Sequence, residues 1–399
     1  MWEEKIDINA VSEIRARSIC YLGVGAIDKI GSIVEKLKNK GVASVLVVTG
    51  KGSHIKTGAW DKVKAALDKD GVKFFLYDKV TPNPTADQVD EAAAEGRKIG
   101  AKAVIAIGGG SPIDAGKVAA VLLEYPDRTA RELCNMTFAP EKAAPIVAIN
   151  LTHGTGTEVN RFAVVTIPET EQKPALAFEC IYPAYSIDDP ALMTKLPEHQ
   201  TVYVSVDAVN HVIEACTTKV ANPFTISIAK EVVALVAKYL PRAKKDPSDL
   251  RARYFLLYAS MLGGMCFDNG LLHLTHALEH PLSGMRPELS HGSGLGIILP
   301  GIIEAIYPAS GPVLADVLAP IVPGLKGDAS EAEKVRLGVR KWLTDVGIPE
   351  NLGAEGFSSA DIDKLVELTY STPGLSGLLG LAPIEVDRAV VRRIYEVAF

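Results

Sequence analysis

Two periodicities divide this chain, and the change between them restricts its fold more than any other feature. In the first half, short apolar runs alternate with helical patterns. Val42 to Thr49 is a β-branched run of strand length, closed by Gly50-Lys51-Gly52-Ser53. Trp60, Val63, Ala66 and Leu67 then recur at helical spacing, and Lys73 to Tyr77 is strand-like again. Pro82-Asn83-Pro84-Thr85 turns the chain into another helix, which ends near Gly100. Ala103 to Ile107 and Ala144 to Ile149 are further short apolar strands. Phe162 to Ile167 and Ala175 to Ile187 read as additional, more exposed strands. Continuously apolar strands separated by helices are buried on both faces, which predicts a doubly wound parallel sheet.

After Leu196 only the 3.6-residue period remains. It predicts helices over Thr201–Thr218, Phe224–Leu240, Leu250–Cys266, Leu271–Ser283, Val313–Val322, Ala332–Val346, Ser359–Tyr370 and Pro383–Ala398, with Pro and Gly at the breaks. The fold class expected is therefore α/β followed by all-α, divided near Asp189-Pro190 into residues 1–190 and 191–399.

Composition narrows the function. The chain has 399 residues, 42 Lys and Arg against 48 Asp and Glu, and a net charge of −6. An acidic balance argues against a nucleic-acid partner, which needs a basic face for phosphates. The start, Met1-Trp2-Glu3-Glu4-Lys5, lacks the basic, then apolar order of a signal peptide. The longest apolar run, Gly292 to Ile303, is shorter than a membrane span and interrupted by Gly294, Gly296 and Pro300, so no membrane association is expected. Cys20, Cys134, Cys180, Cys216 and Cys266 are scattered and form no CxxC pair. Reduced thiols in a cytoplasmic protein suit that spacing best.

The sharpest local signal is Gly108-Gly109-Gly110-Ser111-Pro112-Ile113-Asp114-Ala115-Gly116-Lys117, directly after a strand and opening a helix. Glycines allow close backbone approach, Pro112 suits the first helical turn, and the exposed N–H groups attract an anion such as a pyrophosphate. Residues 1–190 are thus expected to bind a dinucleotide. The first clear strand ends at Gly50 and Ser53 with no acid to hold a ribose 2′-hydroxyl. That leaves room for a 2′-phosphate and predicts NADP(H).

The histidines carry a second signal. Four of the chain's eight, His273, His276, His280 and His291, lie close together. Upstream, Asp207 and His211 share one face of a helix, as do His276 and His280. A carboxylate with several imidazoles in a helical domain reads as a divalent metal site, so residues 191–399 are expected to bind metal. His276-Ala-Leu-Glu279-His280 also matches the H-x-x-E-H protease signature. A protease, however, has no use for the glycine turn or for the Asp207/His211 pair.

Together these segments resemble the iron-dependent (group III) alcohol dehydrogenase family over almost the whole chain. The resemblance rests on Pro82–Thr85, residues 108–117, Thr152-His153-Gly154-Thr155-Gly156-Thr157-Glu158-Val159, Asp188-Asp189-Pro190, Asp207-x-x-x-His211-x-x-Glu214, His276-x-x-x-His280-Pro281 and His291-Gly292. It implies Asp207, His211, His276 and His291 as metal ligands, usually for Fe²⁺ and sometimes for Zn²⁺ or another divalent ion. It implies His280 as a proton-moving histidine beside the metal, and Gly109, Gly110, Ser111 and Asp114 as pyrophosphate contacts. Asn83, Thr152, Thr155 and Lys173 match further nucleotide contacts, and the Gly50–Ser53 turn is similar to NADPH-using members. His273 matches no functional position.

Two departures stand out. His153 replaces a small residue, and the His280–His291 segment is one residue longer than usual. The implied reaction is reversible hydride transfer between a small primary alcohol or aldehyde and NADP(H), by a homodimer or larger homo-oligomer. Phe162 and Phe267 are expected to line a mostly apolar pocket. A metal- and dinucleotide-using lyase resembling 3-dehydroquinate synthase is the alternative.

Overall fold

The computed structural model describes residues 13–399, so the reading of Met1–Lys5 lies outside the described residues. Its eight strands are β1 (Ile19–Leu22), β2 (Ser44–Gly50), β3 (Lys73–Val80), β4 (Ala103–Gly108), β5 (Ile146–Asn150), β6 (Phe162–Val164), β7 (Ala175–Ala177) and β8 (Tyr185–Asp188). Six form one parallel sheet in the order β1-β8-β5-β4-β2-β3, and β6 pairs with β7 in a small antiparallel ribbon.

Alternate residues of the central strands face opposite layers. Val45, Val47, Ile105, Ile107 and Val147 pack with α1 (Ile30–Asn39) and α3 (Ala59–Asp70). Leu46, Val48, Val104 and Ile146 pack with α4 (Ala86–Lys98) and α5 (Gly110–Glu124). The sheet is therefore doubly wound, as its apolar strands dictate. Between these elements lie two short helices, α2 (Ser53–Lys56) and α6 (Ala130–Cys134). Thr85 explains how a proline-rich turn starts α4: its hydroxyl accepts from the Gln88 N–H, and the Gln88 side chain returns the bond.

Chain order reverses between β2 and β4, since β3 lies on the far side of β2 and β5 on the far side of β4. Ligands of such sheets bind at this switch point, beyond the carboxyl ends of the strands. Those ends are Gly50 and Gly108.

The other half is built from α7 (Glu198–Ala215), α8 (Pro223–Lys245), α9 (Leu250–Gly270), α10 (Leu274–Met285), α11 (His291–Val317), α12 (Ala332–Val346), α13 (Ile362–Ser371), α14 (Leu375–Gly380) and α15 (Arg388–Val397). No strand occurs among the described residues of this half.

Three expectations need correction. β8 is a buried inner strand between β1 and β5, with Ser186, Ile187 and Asp188 inaccessible, where the sequence suggested an exposed one. β1 and α1 were not foreseen. The run treated as interrupted at Gly294, Gly296 and Pro300 is one continuous helix, α11, which contains Pro300, Pro308 and Pro312. Burying a side chain such as Leu295, Ile298, Leu299, Ile302, Ile303 or Ile306 stabilises by about 1.5–3 kcal/mol. Together these outweigh the roughly 3 kcal/mol that a proline costs inside a helix. α11 is long and apolar enough to cross a membrane, but 67% of its apolar window is buried within the protein.

Candidate active site

The site lies where the switch point meets α7, α10 and α11. A cavity of about 210 Å³ opens there, lined by Gly110, Ser111 and Thr155 on one side and by Asp207, His211, His276, His280 and His291 on the other.

The nucleotide side follows from close packing. A Cβ on Gly109 would sit 2.8 Å from Thr152 Cγ2, and one on Gly110 would sit 2.7 Å from Thr155 Cγ2. Only glycine fits beneath the Thr152–Thr155 loop. α5 has no side-chain cap and no acid in its first turn, whereas α4 and α6 each carry a threonine capping box. Its leading N–H groups are left for an anion.

Asp114 also lines the cavity, but both its oxygens are engaged. Oδ1 accepts from Thr157 Oγ1 at 2.7 Å, and Oδ2 from the Val164 N–H at 3.0 Å. Burial raises its carboxyl to about 6, and burial lowers the nearby Lys117 amine to about 8. Lys117 donates to Thr157 Oγ1 and to the carbonyls of Asn160 and Phe162. Asp114 and Lys117 therefore fasten α5 to the cavity wall. Asn83 lines the cavity with its amide nitrogen bonded to the Pro287 carbonyl at 2.8 Å. Gly50, Ser53, Gly109 and Thr152 lie outside the cavity lining.

On the opposite side, three imidazoles converge on one carboxylate oxygen. Nε2 of His211, His276 and His291 lies 3.4, 3.7 and 4.0 Å from Asp207 Oδ1. Asp207, His276 and His291 present ligand atoms all within 4.8 Å of one another. A four-coordinate ion with ligands at about 2.0–2.2 Å sets its ligand atoms roughly 3.4 Å apart, so the cluster is near the size a divalent ion requires. Asp207 Oδ1 and His276 Nε2 are buried without a hydrogen-bond partner. Buried polar atoms are normally paired, and this hard-and-borderline donor set fits iron or zinc.

Carboxylates stand behind the rings. Glu214 Oε2 meets His276 Nδ1, while Glu214 Oε1 accepts from the N–H groups of His273 and Thr275, each at 2.9 Å. Burial works against a charged His276 ring, yet Glu214 and Asp207 raise it to about 9 in the metal-free protein. Glu279 Oε2 meets His291 Nδ1. His280 is buried with Nδ1 unpartnered, and burial together with the Lys173 charge holds its ring well below the usual range. His273 Nε2 is bonded to Thr217 Oγ1 at 2.9 Å, and the ring does not line the cavity.

Phe162, Phe267, Leu271, Leu272 and Leu378 form the apolar wall. Phe267 stacks on His211 with ring centroids 4.4 Å apart. The sequence offered Phe162 and Phe267 but not the leucines. Leu271 has φ +60° and ψ −176°, a strained backbone for a non-glycine residue at the break between α9 and α10.

A doubly wound sheet whose glycine turn shares a cavity with an aspartate–histidine cluster defines a class of nucleotide- and metal-using enzymes. Comparison with known proteins narrows the class. Residues 18–190 match the family described as iron-containing alcohol dehydrogenase, and residues 201–399 match the C-terminal domain of the Fe-containing alcohol dehydrogenase family. The chain is 60% identical over 399 residues, 100% of both chains, to the long-chain primary alcohol dehydrogenase AdhA of Thermoanaerobacter ethanolicus. It is 30% identical over 383 residues to the NADPH-dependent butanol dehydrogenase of Clostridium saccharobutylicum, covering 95% of this chain and 96% of that one. The structure of NADH-dependent butanol dehydrogenase A from Thermotoga maritima superposes with a TM-score of 0.89 at 29% identity over 98% of each chain. The chain belongs to the iron-containing alcohol dehydrogenase family. It is thus an alcohol dehydrogenase acting on small-molecule alcohols and aldehydes, and the family brings iron and a nicotinamide cofactor to it. That membership removes the lyase alternative.

Proposed function

We propose that the enzyme transfers hydride reversibly between the carbinol carbon of a primary alcohol and NADP⁺, yielding aldehyde, NADPH and a proton. The convergence of three imidazole nitrogens on Asp207 Oδ1, in a cavity shared with Gly110 and Ser111, carries this reading. Asp207, His211, His276 and His291 would hold Fe²⁺, or Zn²⁺ or another divalent ion. When bound, such an ion supplies a Lewis acid for the alcohol or carbonyl oxygen.

The chain's own residues do the rest. The uncapped start of α5, with Gly109, Gly110 and Ser111, binds the pyrophosphate. Thr152 and Thr155 close over the glycines, and Asn83 and Lys173 complete the nucleotide contacts. Asp114 sets the position of that helix from behind. His280 Nδ1, buried and unpartnered, accepts the hydroxyl proton during oxidation and returns it during reduction. Phe162, Phe267 and the leucines exclude water and favour aliphatic substrates over sugars.

Preference for NADP(H) is supported by the end of β2, which places Gly50, Lys51 and Ser53 where an NAD-selecting fold carries an acid. Relatives named for each cofactor exist, so the family alone leaves the choice open. The same reading assigns the nucleotide to residues 1–190 and the metal to 191–399, in a cytoplasmic homodimer or larger homo-oligomer.

The test is a kcat/KM comparison with NADPH and NADH, using a series of unbranched primary alcohols and their aldehydes. A higher value with NADPH is expected, and an equal or higher value with NADH would overturn the cofactor assignment.

A further inference from the structure

We propose that Glu279 is a positioning residue of the metal centre, its buried carboxylate fixing the His291 ring so that Nε2 faces Asp207. The inference rests on the metal reading given above. In the sequence, Glu279 stands inside H-x-x-E-H, where a metalloprotease would use it as a general base. The structure turns it elsewhere. Glu279 is fully buried and absent from the cavity lining. Its Oε2 meets His291 Nδ1, with Lys173 Nζ 3.5 Å from the same oxygen, and its Oε1 accepts from Ser283 Oγ.

Glu279 Oε2 is the anionic acceptor beside Nδ1, so a ring that offers its Nε2 lone pair to an ion turns its remaining proton, on Nδ1, towards this carboxylate. That lone pair lies on the Asp207 side, 4.0 Å from Oδ1. Ligand histidines are oriented by such acceptors.

His291 needs this support more than the other ligands do. It is the first residue of α11, follows the connection 286–290, and has a side chain 26% exposed, against 6% and 5% for His211 and His276. His276 already has Glu214 behind it. Gly294, one turn further along α11, is shaped to admit Glu279: a Cβ there would lie 3.0 Å from Glu279 Cγ and 3.2 Å from Oε1. α10 and α11 therefore meet around this carboxylate.

Glu279, His280 and His291 also cluster closely enough to hold an ion of their own. Lys173 argues against that occupant. Its ammonium stands 3.5 Å from both Glu279 Oε2 and His291 Nδ1, already supplying the positive charge a second ion would bring.

The experiment is chelator competition for Fe²⁺ or Zn²⁺ under anaerobic conditions with full-length wild type, Glu279→Gln and Glu279→Ala. The account expects about 10–100-fold weaker metal binding in Glu279→Ala. A smaller, several-fold loss is expected in Glu279→Gln, whose amide oxygen still accepts from Nδ1–H. Melting of the metal-free proteins is followed alongside, because removing a buried carboxylate beside Lys173 lowers stability in itself; the graded loss of metal affinity carries the test. Wild-type affinity in either variant, or an equal loss in both, overturns the proposal. If Glu279→Ala does not fold, Glu279→Gln decides alone. A wild-type protein that binds no ion would instead sink the metal reading itself, and the two failures are thereby distinguished.

Discussion

His153 shows what a single residue can impose on this protein. Its Nε2 accepts from Arg253 Nη1 at 3.0 Å, and its Nδ1 lies 3.4 Å from Ser205 Oγ, so the buried ring is held neutral between α9 and α7. Burial and the Arg253 charge push it down to about 3, whereas an unfolded histidine titrates near 6.5. The native ring therefore refuses a proton that the unfolded chain accepts. Stability from this site is complete above pH 6.5 and declines as the pH falls towards 3, by up to about 1.4 kcal/mol per pH unit. Denaturant unfolding between pH 5 and 7 should show a shallower loss of stability in His153→Ala than in wild type, and parallel curves would refute this. At the ligands, His276→Ala is expected to lower metal content per chain to a small fraction of wild type, as read by elemental analysis; unchanged content would mean that the ligand set is misassigned. Asp207, His211, His276 and His280 were legible as pairs because a spacing of four on a helix puts two side chains on one face. Glu214 and Glu279 were not legible as partners of imidazoles. Carboxylates on helices are commonplace, and only the crossing of α7, α10 and α11 shows which ring each one meets.

Among the elements, α5 and α7 were legible and α11 was not, and the difference lies in what glycine and proline do. Local rules treat both as breakers, yet in α11 the glycines are contact surfaces. A Cβ on Gly292 would lie 2.0 Å from the Tyr203 carbonyl, and one on Gly296 would lie 3.0 Å from Ile348 Cγ2. Gly292→Ala should therefore destabilise the protein by about 1–3 kcal/mol or more and weaken metal binding, because His291 is its neighbour. Gly31, within α1, meets nothing within 4 Å, so Gly31→Ala should be neutral or stabilising by up to about 1 kcal/mol. Thermal melts of the two variants separate close packing from backbone entropy; equal destabilisation would contradict the argument. β1 went unread because its four residues, Ile19–Leu22, are too few to establish a period, and β8 was read as exposed because burial on both faces depends on neighbours that the strand itself does not reveal.

At the scale of the whole molecule, the α/β and helical halves share one cavity, so nucleotide and metal affinities report on the same space. The division of the chain into a parallel sheet and a helical body was evident from periodicity alone. The switch point between β2 and β4 was not, since strand order is a property of the assembled sheet. With the proposed ligand set, metal would bind only the folded state, at residues drawn from three helices, and should stabilise it by about 2.7 kcal/mol at a free concentration one hundred times Kd. Gly50 belongs to this scale too, because it lies at the switch point. Gly50→Asp should raise the KM for NADPH more than that for NADH, through repulsion of the 2′-phosphate, and an equal effect on both would argue against a phosphate pocket there.

The most direct measurement is alcohol-dependent NADP⁺ reduction while Fe²⁺ is titrated anaerobically into metal-stripped, folded enzyme. Activity should climb from near zero and level off at one ion per chain. Full turnover before any ion is added, or a plateau at a different stoichiometry, would show that Asp207 and the three imidazoles do not form the working centre.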